Sequence, residues 1–303
     1  MRFAISIPQY VGPEGFDAVG FRGYVARAEE LGFESGWTQE QVLGPGRALS
    51  PLETMTYAAA SCERMRLGCA VFVFSLHSPL HLAKAIVSLD CLSRGRLEVG
   101  LVAGGPARPF SAFGVDPSTF VARFNEGLEL MKACWTEPEI TFHGRFWELD
   151  GATMTPQPLQ KPHPPIWLGG NHPAAVRRAV HRADGFFGAG SQTTESFANQ
   201  VQVAREELST RGRDPASFRI AKRVYIHVDE DRDRARKLME AALTRHYGRS
   251  GLAPVAVTGP PAECVAGLRE VEAAGAEVIQ LNPMVDESEQ LERLAAEVVP
   301  DVS

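Results

Sequence analysis

The sequence predicts an α/β protein, a closed (β/α)8 TIM barrel, and three observations carry that expectation. Eight short apolar runs recur along the 303 residues, each followed by a helical pattern. Strand–helix alternation joined by right-handed crossovers gives a parallel sheet. No Ser-, Pro- or Gly-rich linker divides the chain, so residues 1–303 read as one domain. Eight units in this length favour closure, with an open doubly wound sheet as the alternative.

The expected strands are residues 3–8, 35–40, 67–74, 97–103, 166–170, 185–189, 219–228 and 277–282. In the first helix Phe21, Val25, Ala28 and Leu31 share one face, and Gly32 stands where a C-terminal cap would. The third opens on Ser78-Pro79, a capping serine and a first-turn proline, and buries Leu82, Ile86 and Leu89. A fourth helix spans about residues 120–135. Residues 136–165 then break the rhythm. Apolar alternation around His143-Gly144 predicts a β-hairpin, and a proline-rich extended connector from Thr155 to Pro165 leads into strand five. An insertion of this length predicts a lid over the site or a contact with a second subunit.

Composition narrows the class of function. With 44% hydrophobic and 22% charged residues the chain is an ordinary globular protein. No apolar run approaches the length that spans a bilayer, so no membrane partner is expected. The first eight residues alternate like a strand and do not resemble a signal peptide. A net charge of −6 argues against a nucleic-acid partner. Cys62, Cys69, Cys91, Cys134 and Cys264 show no paired spacing, which predicts reduced, buried thiols and a cytoplasmic location.

In such a barrel the chemistry sits at the C-terminal strand ends. Strand one ends at Gln9 and Tyr10, strand two at Gln39, Glu40 and Gln41, and strand three at Phe74, Ser75 and His77. Strand four runs into Gly104, Gly105 and Arg108, strand five into Gly169, Gly170, Asn171 and His172, and strand six into Ala189 and Gly190. Glycines let a ligand approach the backbone, and Pro173 opens a helix whose free amides favour an anion such as phosphate. A tight strand-to-helix turn in any α/β protein reads equally well. Glu40 faces these glycine-rich ends as a carboxylate at the mouth. Gln9 and Tyr10 either line the pocket or pack a loop, and Arg108 is either a pocket cation or a solvated loop residue. His77 and His81 have the spacing of a metal pair, but His77 precedes a helix cap and no third ligand lies nearby, so no metal is expected. His77 alone remains a substrate or cofactor contact. Arg177, Arg178 and Arg182 read as a solvated helix face. Asp90, Arg94 and Arg96 read as structure at the barrel bottom, and Trp37 and Trp167 as core.

An ordered set of motifs resembles the luciferase-like monooxygenase superfamily, most of all its branch of coenzyme F420-dependent oxidoreductases. It comprises Ala28-Glu29-Glu30-Leu31-Gly32-Phe33-Glu34-Ser35, Arg64-Met65-Arg66-Leu67-Gly68-Cys69-Ala70-Val71 and His77-Ser78-Pro79. Ser88-Leu89-Asp90-Cys91-Leu92-Ser93-Arg94-Gly95-Arg96-Leu97 and Phe142-His143-Gly144-Arg145-Phe146 follow. Pro162-His163-Pro164-Pro165-Ile166-Trp167-Leu168-Gly169-Gly170 and Arg182-Ala183-Asp184-Gly185-Phe186 complete it. The match is dense over roughly residues 1–190 and loose beyond.

The resemblance implies a barrel, a homodimer and a small organic substrate. It implies a non-prolyl cis peptide at Ala70-Val71 backing the cofactor ring, and a loop of residues 104–108 along that ring. It places the cofactor phosphate on Gly169, Gly170, Asn171 and His172, with a second contact at Ala189 and Gly190. Many relatives carry an Asp-His pair where this chain has Glu40-Gln41. Glu40 keeps a carboxylate that can hydrogen-bond the cofactor or move a proton, whereas Gln41 has no titratable group. The expected function is hydride transfer between F420 and the substrate. Alternatives are an FMN-dependent monooxygenase, fed with reduced flavin by a reductase partner, and a non-catalytic flavin-binding protein.

Overall fold

The computed structural model describes residues 1–12, 14–44, 46–105 and 108–302. The first four strands are β1 (Arg2–Ser6), β2 (Ser35–Thr38), β3 (Arg66–Val73) and β4 (Leu97–Val102). A hairpin of β5 (Ile140–His143) and β6 (Glu148–Ala152) interrupts the series. It resumes with β7 (Ile166–Gly169), β8 (Gly185–Gly188) and β9 (Arg219–Val228), then β10 (Val257–Gly259) and β11 (Val278–Asn282). Eight of these pair in parallel in the cyclic order β1-β2-β3-β4-β7-β8-β9-β11, and β11 returns to β1. The barrel is closed, as its apolar rhythm predicts. Only β10 has no forerunner in the sequence reading, because three residues are too few to show a period; it adds to the far end of the long β9.

Helices α1 (Ala18–Glu30), α2 (Pro51–Ala59), α3 (Pro79–Leu92) and α4 (Phe120–Thr136) follow the first four strands. Helices α5 (Pro173–Arg182), α6 (Thr194–Thr210), α7 (Arg232–Tyr247) and α8 (Pro261–Ala273) continue the outer layer, and the helical segment 287–302 after β11 completes it. Ser78 accepts a hydrogen bond from the His81 amide at the start of α3, and Leu82, Ile86 and Leu89 turn inward. In α1, Phe21, Val25 and Ala28 are buried. All five cysteines are free thiols, four of them buried. No helix among the described residues is long and apolar enough to cross a membrane.

Inside the barrel, Ala4, Trp37, Ala70, Trp167, Phe187, Ala221 and Val278 form a compact plug. The Trp37 and Trp167 rings meet edge-on at 6.1 Å, and Phe187 lies 4.8 Å from Trp37. Such bulk fits because neighbouring strands carry glycine: a Cβ on Gly68 would lie 2.5 Å from Trp37, and one on Gly185 would lie 2.5 Å from Trp167. Above the plug, β3 shifts register against β4 between Cys69 and Phe72, and the Ala70–Val71 peptide is cis. Gly100 on β4 makes room there, since a Cβ would collide with the Cys69 carbonyl.

The insertion does not cover the barrel mouth, which corrects the lid expectation. Two carboxylates hold it elsewhere. Glu126 of α4 accepts from the Arg145, Phe146 and Trp147 amides at 3.0, 2.7 and 3.1 Å, fixing the hairpin tip to the helical layer. Asp90 of α3, fully buried, accepts from the Leu159 and Gln160 amides at 2.7 and 3.2 Å and from Gln160 Nε2 at 2.8 Å. The connector therefore runs under the bottom of the barrel, where Gln160 also reaches the Leu97 carbonyl.

Candidate functional site

A cleft of about 550 Å³ opens at the C-terminal ends of the strands, within the usual size range of cofactor sites. Glu40, just beyond β2, enters its wall with only 4% of its side chain exposed. Oε2 accepts from the Val73 amide at 2.7 Å, and Oε1 lies 2.7 Å from His77 Nε2. His77 follows the short 3-10 turn Phe74–Leu76 that ends β3, and its ring meets Phe72 edge-on at 6.0 Å. Thirty-seven positions separate Glu40 and His77 in sequence, and the adjacency of β2 and β3 joins them. His77 stands behind Glu40 and does not itself line the cleft, because its imidazole is committed to the carboxylate. Gln41 lines the wall but folds its carboxamide against Gly44 and Gly46 of its own loop, where Oε1 is buried with no partner among the described residues.

The glycine-rich strand ends converge on the cleft. Gly169, Gly170 and Asn171 at the end of β7, and Gly188, Ala189 and Gly190 at the end of β8, line one side of the cleft. Gly170 has φ +144°, and a Cβ there would lie 2.6 Å from that of Ala175, so this glycine also serves the packing of α5. The Asn171 and His172 amides have no acceptor among the described residues. His172 itself lies off the cleft wall. It caps α5, with Nδ1 accepting from the Ala174 amide at 3.1 Å. Gly104, Gly105 and Arg108 line the mouth after β4, while Pro106 and Ala107 of that loop lie outside the described residues. Arg108 is exposed and makes no ion pair among the described residues.

Gln9 and Tyr10 also stand off the cleft. Gln9 is buried and stitches two loops, donating to the Gln39 and Leu49 carbonyls at 2.7 and 2.5 Å and accepting from the Gln39 amide at 2.9 Å. Tyr10 Oη is held between Gln39 Nε2 and His246 Nδ1 at 2.5 and 2.9 Å. Both line a small polar cavity beside the cleft.

Several cleft residues escape the sequence reading. His246 and Tyr247, at the end of α7, form a wall, and burial with the nearby Arg223 charge pulls the His246 imidazole down to about 4. Lys222 of β9 is buried behind the β8 loop and donates to the Ala189 and Gln192 carbonyls. Burial, reinforced by the Arg223 charge, lowers its ammonium to about 7. Arg223 occupies the floor, joined to Gln39, Gln280 and the Ala70 carbonyl. The adjacent Lys222-Arg223 inside an apolar strand was the available signal, since such residues are rarely buried without a role.

Comparison with known proteins agrees with this architecture. The F420-dependent glucose-6-phosphate dehydrogenase of Kineococcus radiotolerans is 29% identical over 217 residues, covering 69% of this chain and 64% of that protein. The FMNH(2)-dependent dimethylsulfone monooxygenase of Pseudomonas putida is 26% identical over 224 residues, covering 72% of this chain and 60% of that protein. The chain thus spans less than two thirds of the length of either relative. The monooxygenase RslO1 from Streptomyces bottropensis superimposes with a TM-score of 0.86 at 26% identity, over 100% of both chains. Residues 1–256 match the luciferase-like monooxygenase family. The closed barrel, its glycine-lined mouth and this match lead to one conclusion: the chain belongs to the luciferase-like monooxygenase family.

Proposed function

We propose that this protein is an F420-dependent oxidoreductase that exchanges a hydride with a small organic substrate. The observation that carries the reading is Glu40, held at both oxygens by Val73 and His77 on the wall of the cleft. Hydride exchange at a C–O or electron-poor C=C centre moves one proton per hydride. Glu40 is the one carboxylate among the described residues lining the cleft.

The residues present fit a flat, phosphate-bearing group. Gly169, Asn171, Ala189 and Gly190 offer close backbone approach at one end, and free amides there suit a phosphate. Lys222 braces the Ala189 loop from behind. When bound, F420 would supply or accept the hydride. Glu40 would hold the accompanying proton, and His77, with 24% of its side chain exposed, would link that carboxylate to solvent. His77 thereby takes up the part that Gln41 cannot play.

Titration of the apoprotein with F420 and with FMN tests this reading, with saturable F420 binding as the expected result. Tight FMN binding without F420 binding would overturn it. That outcome would favour the second reading, an FMN-dependent monooxygenase, which the likeness to the Pseudomonas putida enzyme and to RslO1 supports.

A further inference from the structure

We infer that Arg223 is the residue that stabilises the negative charge of the reduced cofactor ring. This rests on the reading of the cleft as a deazaflavin or flavin site. Arg223 is 8% exposed, and it reaches from β9 across the barrel mouth. Nε donates to Gln280 Oε1 of β11 at 3.1 Å, Nη1 to Gln39 Oε1 at 2.7 Å, and Nη2 to the Ala70 carbonyl of β3. Strands β9 and β3 are not neighbours, so the guanidinium lies near the middle of the mouth, on the floor of the cleft.

Its bonding leaves an imbalance. Its hydrogen bonds to Gln280, Gln39 and the Ala70 carbonyl, and its contact with the Tyr225 hydroxyl, all involve neutral groups. Among the described residues no carboxylate forms an ion pair with it. A buried charge without a counter-ion is costly, and a site retains one where a ligand completes it. A guanidinium that faces the cleft without a counter-ion suits electron-rich oxygen or nitrogen atoms of a ligand.

The chemistry specifies which charge. A hydride given by a substrate C–H would carry two electrons and one proton to the ring, and the substrate O–H proton would leave to Glu40. The ring would thereby gain one negative charge. A flat group spanning the mouth from the β7–β8 loops to Glu40 would share the cleft with Arg223, whose charge would favour the reduced over the oxidised form. The same argument holds for a flavin.

Anaerobic titrations of the full chain and of Arg223→Gln with F420 and with FMN, each oxidised and reduced, test the inference. The substitution should cost at least tenfold more affinity for the reduced than for the oxidised form. Each tenfold corresponds to a fall of about 30 mV in the bound two-electron potential. Arg223→Lys should keep most of the preference. Equal losses for both forms would mean a phosphate or structural role and would overturn the inference. So would an effect confined to substrate KM. Binding of FMN alone would overturn the F420 reading, and the FMN ratio would then decide the role of Arg223. Binding of neither coenzyme would overturn both. Should Arg223→Gln not fold, the unmodified protein gives the answer. Its bound reduced coenzyme should keep the anionic absorbance spectrum about one pH unit or more below the free coenzyme. Coincident titrations would refute the role.

Discussion

The two ends of the barrel handle charge in opposite ways. At the bottom, charged groups are closed off. Glu98 is 4% exposed and is bound by Arg66 Nε and Trp167 Nε1, both at 2.5 Å. Arg2 pairs with Glu34 at 2.9 Å, and Asp184 accepts from the Ile166 amide at 2.8 Å. At the mouth, Lys222, Arg223 and Arg108 have no ion-pair partner among the described residues. The same residue types are thus paired below and left without a counter-charge above. Satisfied polar groups fix a structure, and unsatisfied ones mark where it meets something else.

The comparison predicts that substitutions at the two ends separate stability from function. The largest effect belongs to the bottom. Asp90→Ala removes a buried carboxylate with its charge-assisted hydrogen bonds to the Leu159 and Gln160 amides, and should lower unfolding stability by roughly 2–6 kcal/mol in urea titration. Coenzyme affinity of the folded fraction should stay unchanged, and a loss of affinity at constant stability would erase the distinction. Next comes Glu40→Gln at the mouth. It should slow turnover about 10²–10³-fold with little change in stability, read by single-turnover kinetics across pH. A rate that stays level would remove the carboxylate from proton transfer. His77→Gln should cost less, on the order of tenfold, and alter the shape of the pH profile, because it acts through Glu40.

The smallest effect concerns Lys222. Its folded pKa of about 7 lies below the ordinary lysine value, so the folded protein binds fewer protons than the unfolded chain above pH 7. Its contribution to stability should therefore rise with pH through neutrality toward the ordinary lysine range. Lys222→Met should flatten that rise, checked by urea midpoints at mildly acidic and mildly alkaline pH. Parallel pH curves for the two proteins would show that Lys222 stays charged.

The barrel was legible because its signals are local and repeated: eight apolar runs, a capping Ser78-Pro79, and the alternation flanking His143-Gly144. The glycine ends beyond β7 and β8 were legible for the same reason. What the sequence hid is what only closure creates. Glu40 meets His77 because β2 lies beside β3, and Arg223 reaches Ala70 because β9 faces β3 across the mouth. His172 and Gln9 stand at strand ends, yet local geometry commits them to a helix cap and a loop stitch. A strand end identifies a neighbourhood, and side-chain partners decide who faces the cleft.

The aromatic plug has an optical consequence. Phe187 lines the cleft, Trp37 lies 4.8 Å from it, and Trp167 lies 5.8 Å from it. The other two of the four tryptophans, Trp135 and Trp147, belong to the outer layers. A light-absorbing molecule seated in the mouth would quench the inner pair by energy transfer more strongly than the outer pair. The protein thus carries its own fluorescent gauge of occupancy, readable without a label and before any substrate is known.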